Sequence, residues 1–391
     1  MSRSTGKYVS TSVAGEEVRA FVPEPLPVRD PPITLEGSLA VRLRSAEEAL
    51  RRLELAARMV PSVDWFLFAF VRKEAVLSSQ IEGTQASLVD LLQFESSDDQ
   101  KPTPDIEEVC NYVEALNYAR AELASPNGLP LSMRLLNETH RRLMRGVRGT
   151  NKAPGVIRRS QNWIGGSRPG NAAFVPPPPH RVPALLQALE KYLHRKDALP
   201  PLVRAGLVHV QFETIHPYLD GNGRIGRLLV ALLLQEWKLL PAPLLYLSLF
   251  FRRHQAEYYR RLAAVRTSGD WEGWLDYFLH GVATIAEEAV TSARDLFATV
   301  SADRVRLLKI DSVSVAAMRL FEVLPQQPIV TTGSVRRLIQ ISKPTAGRAI
   351  QTLEAAGILR EMTGRQRGRS FVYQAYLDRL LVETELSDPK R

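Results

Sequence analysis

Twelve consecutive residues, His216-Pro217-Tyr218-Leu219-Asp220-Gly221-Asn222-Gly223-Arg224-Ile225-Gly226-Arg227, concentrate the groups that phosphoryl-transfer chemistry uses. Gly221 and Gly223 allow left-handed backbone turns, so the N–H groups around Asn222 can converge on one concavity where the next helix presents its positive end. An anion is the expected guest. Arg224 and Arg227 lie three apart on the first turn of that helix, so they share a face and can reach one polyphosphate. Asp220 offers the single hard carboxylate that a phosphate-bridging Mg2+ needs. His216, ahead of a proline that fixes the loop, can take a proton from an attacking hydroxyl near neutral pH. Singly, each has a plainer reading: His-Pro, Asp-Gly and Gly-Asn-Gly are turn chemistry, and an arginine pair is ordinarily a solvated face. A turn needs no base, metal ligand and two cations at once, and that density favours the catalytic reading.

Helices must position this loop. Ser45 with Glu48 forms a capping-box pattern, followed by apolar residues at helical spacing to Val60. Further helical patterns cover about 63–93, 105–125, 131–146, 182–195, 200–214, 224–238, 252–266 and 271–296. The loop joins the segment 200–214 to the segment starting at 224. Between Arg159 and Pro179, two short runs flank Gly165, Gly166, Pro169 and Gly170, which predicts a small exposed β-hairpin. The first thirty-odd residues carry Pro23, Pro25, Pro27, Pro31 and Pro32, which predicts an extended arm.

The loop resembles the signature of the Fic family, His-Pro-Phe-x-Asp/Glu-Gly-Asn-Gly-Arg-x-x-Arg, with Tyr218 where the family favours Phe. That change keeps an aromatic anchor and adds a hydroxyl needing a partner. The resemblance covers about residues 35–285 and implies an all-helical core. It implies His216 as base, Asp220 as magnesium ligand, the stretch Gly221-Asn222-Gly223 as a phosphate cradle, Arg224 at the transferred end and Arg227 on the γ-phosphate of ATP. The hairpin at Trp163, Ile164 and Gly165 is placed like the Fic flap, which docks a target segment by main-chain pairing. Upstream, Ser78-Ser79-Gln80-Ile81-Glu82-Gly83 is similar to the Ser/Thr-x-x-x-Glu-Gly inhibitory motif of family members. Ser78 and Glu82 are four apart on one helical face, and a carboxylate on Arg227 competes with the γ-phosphate. The implied activity is transfer of AMP from ATP, with Mg2+ as cofactor, to a Ser, Thr or Tyr hydroxyl of a protein, the chain itself included, under restraint by Glu82. Transfer of another nucleotide and removal of AMP are alternatives within the family.

After residue 300 the character changes. A helix to about Leu324, then Ser334–Ile339 and Pro344–Ala356, then strand-like runs around a Gly/Arg-rich turn follow the order of a winged helix-turn-helix. Of the formal charge of +9, fifteen basic and nine acidic residues from Ser301 onward carry +6. Lys343, Arg348, Arg360, Arg365, Arg367 and Arg369 are the candidate nucleic-acid contacts. A rival reading is therefore a DNA-binding regulator whose core senses nucleotide without turning it over. The fold expected is mainly α: a Fic-type helical core with a β-hairpin flap, plus a C-terminal winged helix-turn-helix domain. Its expected divisions are an extended arm (1–34), a helical region with the inhibitory motif (35–125), the catalytic core (126–290) and the winged-helix domain (301–385).

The 391 residues, 45% hydrophobic and 24% charged, exclude a disordered or fibrous chain. No apolar run approaches the ~20 residues of a membrane span, and the polar start lacks a secretory signal, so a cytoplasmic location is expected with no membrane partner. Cys110, the single cysteine, excludes an internal disulfide and reads as a small apolar residue. Homodimerisation is left open.

Overall fold

The computed structural model describes residues 3–58, 63–97, 101–146, 150–311, 313–365 and 368–382. The expected extended arm is instead a hairpin. Strands β1 (Gly6–Val13) and β2 (Glu16–Pro23) pair antiparallel from Gly6 opposite Pro23 to Val13 opposite Glu16. Ala14 and Gly15 both take positive φ (50° and 84°), the two-residue turn that suits strand twist. The prolines begin only at Pro23, so they stop the second strand without preventing it.

The helical body follows: α1 (Gly37–Arg58), α2 (Val63–Ile81), α3 (Leu88–Ser96), α4 (Pro104–Ala124), α5 (Met133–Leu143), α6 (Val182–His194), α7 (Pro201–Ile215) and α8 (Asn222–Glu236). Helix α1 starts ahead of the Ser45–Glu48 pattern, because Leu39 and Leu43 continue its buried stripe toward the N-terminus. The segment 63–93, expected as one helix, is two. Gly83 (φ 97°) breaks it, and α3 restarts from a capping box between Ser87 and Asp90. Helices α7 and α8 bury residues on every face, the mark of central helices. The candidate loop joins these two elements, so its ends are fixed by the core.

Beyond it, α9 (Ser248–Arg253) and α10 (Gln255–Ser268) replace the single helix expected over 252–266, and α11 runs from Trp271 to Leu308. The expected domain boundary between 290 and 301 falls inside α11. No glycine or proline lies between Gly281 and Pro325, and buried residues continue through Leu296, Val300 and Leu307, so nothing stops the helix there. Helix α11 packs along α1, with ion pairs Arg42–Asp276 (3.1 Å) and Arg52–Glu287 (2.8 Å) at the rim.

The C-terminal unit comprises α12 (Val315–Val323), β3 (Ile329–Thr331), α13 (Thr332–Ile339), α14 (Lys343–Ala355), β4 (Arg360–Glu361), β5 (Ser370–Val372) and α15 (Gln374–Leu381). Its sheet has the antiparallel order β3-β5-β4. The short β3 and α15 were not anticipated from sequence. The apolar core of this unit is continuous with that of the helical body, and Thr331 Oγ1 donates to the Ser96 carbonyl of α3 at 3.4 Å. Among the described residues no helix is long and apolar enough to cross a membrane. Cys110 packs partly buried against the core, and burial pushes its thiol up to about 11.

Candidate active site

Helix α7 ends in His216, which caps it in a left-handed conformation (φ 50°, ψ 63°) and donates its N–H to the Phe212 carbonyl at 2.9 Å. A non-glycine residue holds such a turn only where its surroundings enforce it. Buried Arg158 does so: Nε donates to the His216 carbonyl (2.8 Å), Nη2 to the Pro177 carbonyl (2.6 Å), and its own N–H to the Pro217 carbonyl (2.9 Å). Burial lowers the Arg158 pKa to about 10. Nδ1 of His216 is buried without a hydrogen-bond partner. Burial first, then the Arg158 charge, push this imidazole down to about 4, so it is neutral and able to accept a proton at pH 7.

Asn222 staples the loop: the Tyr218 N–H donates to its Oδ1 (2.8 Å), and its Nδ2 donates to the Tyr218 carbonyl (2.9 Å). Its side chain is thus engaged within the turn and is not aimed at a ligand. Its main chain is another matter. The first α8 amide with a helical partner is that of Ile225, bonded to the Gly221 carbonyl at 3.0 Å. The N–H groups of Asn222, Gly223 and Arg224 ahead of it are the open amides of a helix start.

His140 of α5 supports the loop from below, and sequence reasoning missed it. Gly155 N–H donates to its Nδ1 (2.8 Å), so Nε2 carries the proton given to the Asp220 carbonyl (3.0 Å). Its ring stacks on Tyr218 at 3.8 Å and 7°. The Tyr218 hydroxyl, the group that separates this loop from the Phe pattern, donates to Asn137 Oδ1 at 2.8 Å. A lone histidine 76 residues upstream reads as core, and only the fold brings it to the loop. Asp220 is half exposed; its Oδ1 accepts from the Gly221 N–H (2.6 Å) and lies 3.8 Å from Arg224 Nη2. Among the described residues no three His, Cys, Asp or Glu groups cluster for a metal. One exposed carboxylate beside an anion loop fits Mg2+ that arrives with phosphates and keeps its waters, not a metal caged by protein alone.

The two arginines, expected to share a face toward one ligand, part ways. Arg224 turns to Glu108 of α4 (Nη1 to Oε2, 3.3 Å) and to Met144 Sδ (3.6 Å). Arg227, 3% exposed, turns to the end of α2: Nε donates to Ser78 Oγ (2.9 Å), and Nη2 to the Ser78 carbonyl (2.9 Å) and Glu82 Oε1 (2.7 Å). A Cβ at position 223 would lie 2.3 Å from that same Glu82 oxygen, so the carboxylate stands against Gly223 in the first turn of α8. Burial opposes the charge on each partner. The mutual attraction of Arg227 and Glu82 outweighs it, holding the carboxyl below and the guanidinium above their ordinary values. Gly83 turns the chain immediately afterward, and Thr84 Oγ1 donates to Glu108 Oε2 (3.0 Å), so one α4 carboxylate ties this turn to Arg224. Glu108 was also missed, since nothing in an Ile-Glu-Glu run on a solvated helix marks it.

Glu74, two turns before Glu82 on α2, is buried; the N–H and hydroxyl of Ser248 donate to it, and burial pushes its carboxyl up to about 7.

In the hairpin at 161–175, Ile164 and Phe174 exchange both main-chain bonds (2.8 and 3.1 Å), and Asn162 Nδ2 reaches the Tyr218 carbonyl at 3.3 Å. Trp163 and Gly165 are exposed beside the loop. Tyr246, Tyr258, Trp271 and Trp274 are core residues, while Tyr259 is 47% exposed. In the C-terminal unit Lys343, Arg348 and Arg365 are exposed, Arg360 bonds Gln374 Oε1 (2.9 Å), and Arg369 lies 3.8 Å from Glu354. Arg367 falls outside the described residues. Among those described, no hydrogen bond or ion pair joins this basic group to the loop.

Comparison with known proteins places these features in context. The N-terminal model of the Fic/DOC family matches residues 40–121, and the Fic/DOC family model matches residues 130–234. A protein adenylyltransferase Fic of Aedes aegypti is 30% identical over 195 residues, covering 49% of this chain and 36% of that protein. Another, of Drosophila grimshawi, is 31% identical over 161 residues, covering 40% of this chain and 31% of that protein. The chain thus spans about a third of the length of these curated relatives. The crystal structure of a Fic family protein from Desulfovibrio desulfuricans superimposes with a TM-score of 0.58 at 22% identity, covering 88% of this chain and 98% of that one. The shared fold therefore reaches beyond the two matched segments.

Proposed function

Given that the chain belongs to the Fic/DOC family through residues 40–121 and 130–234, we propose that it is a protein adenylyltransferase, transferring AMP from ATP to a Ser, Thr or Tyr hydroxyl of a protein. The observation that carries this reading is the position of the Glu82 carboxylate, 2.7 Å from Arg227 and directly over Gly223. An internal anion there marks where an external one is received.

The target oxygen attacks the α-phosphorus, the bond to pyrophosphate breaks, and the hydroxyl proton passes to the neutral imidazole of His216. The open amides of Asn222 and Gly223 face the charge that develops on the phosphates, and Arg224 joins them by leaving Glu108, its partner at 3.3 Å. Asp220 would hold Mg2+, which would supply neutralisation of phosphate charge when bound. Arg227 takes the γ-phosphate once Glu82 has left it, and Trp163, Ile164 and Gly165 dock the target main chain. With Glu82 in place the nucleotide lacks its terminal anchor, so Ser78, Glu82 and Gly83 form an inhibitory segment.

Incubating the Glu82→Gly chain with ATP and Mg2+ and weighing it by mass spectrometry tests the reading. Adenylylated protein is expected. Transfer of a different nucleotide group, or release of AMP from an adenylylated protein with no forward reaction, supports the alternative Fic chemistries instead.

The C-terminal unit has its own reading, as a winged helix-turn-helix in which α14 is the recognition helix. The exposed Lys343 and Arg348 on α14 and Arg365 after β4 favour contact with DNA phosphates. A gel shift whose affinity falls steeply with salt is expected; no shift at low salt rejects it.

A further inference from the structure

The N-terminal hairpin lies outside both family matches, yet it is built into the flap. Phe21 of β2 donates its N–H to the Val175 carbonyl at 3.0 Å, extending the flap by the hairpin. Val13, Val18 and Ala20 close a small apolar cluster with Val175. At the flap tip, Oε2 of Glu16 accepts from Arg168 Nη1 (2.7 Å) and from the Gly170 N–H (3.0 Å). A Cβ on Gly170 would stand 2.3 Å from that oxygen, so this carboxylate lies close against the Gly170 main chain. The hairpin is anchored in turn: Arg3 forms two 2.8 Å bonds to Glu272, and Gln211 of α7 donates to the Glu24 carbonyl at 3.0 Å. Gln211 lies five residues before His216, so the flap is registered against the helix that carries the base.

A lone two-stranded hairpin is marginally stable in water, and further strands with an apolar face are what fix it. The flap alone has one bridge, Ile164 with Phe174. Because Ile164 directs both main-chain groups toward Phe174, strand alternation turns those of Trp163 to the outer edge. That edge suits an extended protein segment joining as a further strand.

We propose that Glu16 is a positioning residue for target docking: it makes the N-terminal hairpin the backing of the flap, so the edge at Trp163 meets an extended, hydroxyl-bearing protein segment already ordered. The inference rests on the adenylyltransferase reading. It deepens that reading by assigning target alignment to a segment far from the loop.

Hydrogen exchange of the full chain reads the flap without any turnover. Glu16→Ala is expected to speed exchange at the Ile164 and Phe174 amides about tenfold, the loss of charge-assisted contacts. Glu16→Gln, which keeps an acceptor for Gly170, is expected to fall between. In a Glu82→Gly background, Glu16→Ala should lower self-labelling from α-labelled ATP about fivefold or more, while calorimetry gives the same ATP affinity. Unchanged exchange overturns the proposal, as does a loss of labelling matched by loss of ATP affinity. If Glu82→Gly alone labels nothing, the adenylyltransferase reading fails, and the exchange rates decide by themselves whether Glu16 orders the flap.

Discussion

Oε1 of Glu82 stands 2.7 Å from Nη2 of Arg227 and fills the space that any side chain at position 223 would need. One carboxylate thereby engages the guanidinium and occupies the space beside Gly223. Glu82→Gly is expected to raise transfer of α-labelled AMP roughly tenfold or more, the scale of one charge-assisted contact returned to the γ-phosphate. Gly223→Ala should weaken ATP binding, and adding Glu82→Gly should not restore it, since the methyl group occupies the anion's place. Equal activity of Glu82→Gly and the parent chain would remove Glu82 from the mechanism.

His216→Ala should cut transfer about 10²–10⁴-fold, the usual contribution of a general base, while ATP affinity by calorimetry stays near that of the parent. The neutral form is the active one, and burial with Arg158 lowers the imidazole to about 4. The acid limb of kcat/KM, which reports the free enzyme, should therefore lie below the ordinary imidazole value of about 6.5. A limb at or above that value would contradict the environment described for His216.

Arg158 holds the main chain that aims His216 and does not itself line the loop. Arg158→Lys keeps the charge and loses the fork of donors to the His216 and Pro177 carbonyls. A drop in kcat of about tenfold with KM for ATP unchanged is expected in steady-state assays. A matched rise in KM would instead place Arg158 in nucleotide binding.

Glu74 sets a pH dependence of stability. Its folded-state pKa is raised from 4.5 to about 7, so its contribution to stability is fully present below pH 4.5 and is lost as pH rises through about 7. Glu74→Gln removes that term. Relative to the parent, the variant's Tm should be higher by a few degrees at pH 8 than it is at pH 5. A difference that does not change between the two pH values would show that the buried carboxyl is ionised throughout.

The candidate catalytic stretch was legible because its residues are contiguous: His216, Asp220 and Arg224 lie within a few residues of one another, and their types suggest chemistry. Ser78 and Glu82 were legible as a spacing, and they meet Arg227 as that spacing implied. His140, Arg158 and Glu108 were not, since each acts on the main chain or on another side chain from a distant segment, and a lone histidine, arginine or glutamate carries no local mark. The N-terminal hairpin was hidden by prolines that follow it, though the alternation in Val18-Arg19-Ala20-Phe21 and the Ala14-Gly15 turn were there to read. The run of α11 past residue 300 was hidden by the expectation that a change in charge marks a boundary, whereas only a helix breaker ends a helix.

Glu82 and Arg227 belong to one folded chain, so their encounter carries no concentration term. Exposure of Arg227 must come from a rival anion that also engages the neighbouring amides, or from a pull on the last turn of α2 through the segment that runs on into α3. The cover on Arg227 is thus built from two residues of the same chain, brought together when that chain folds.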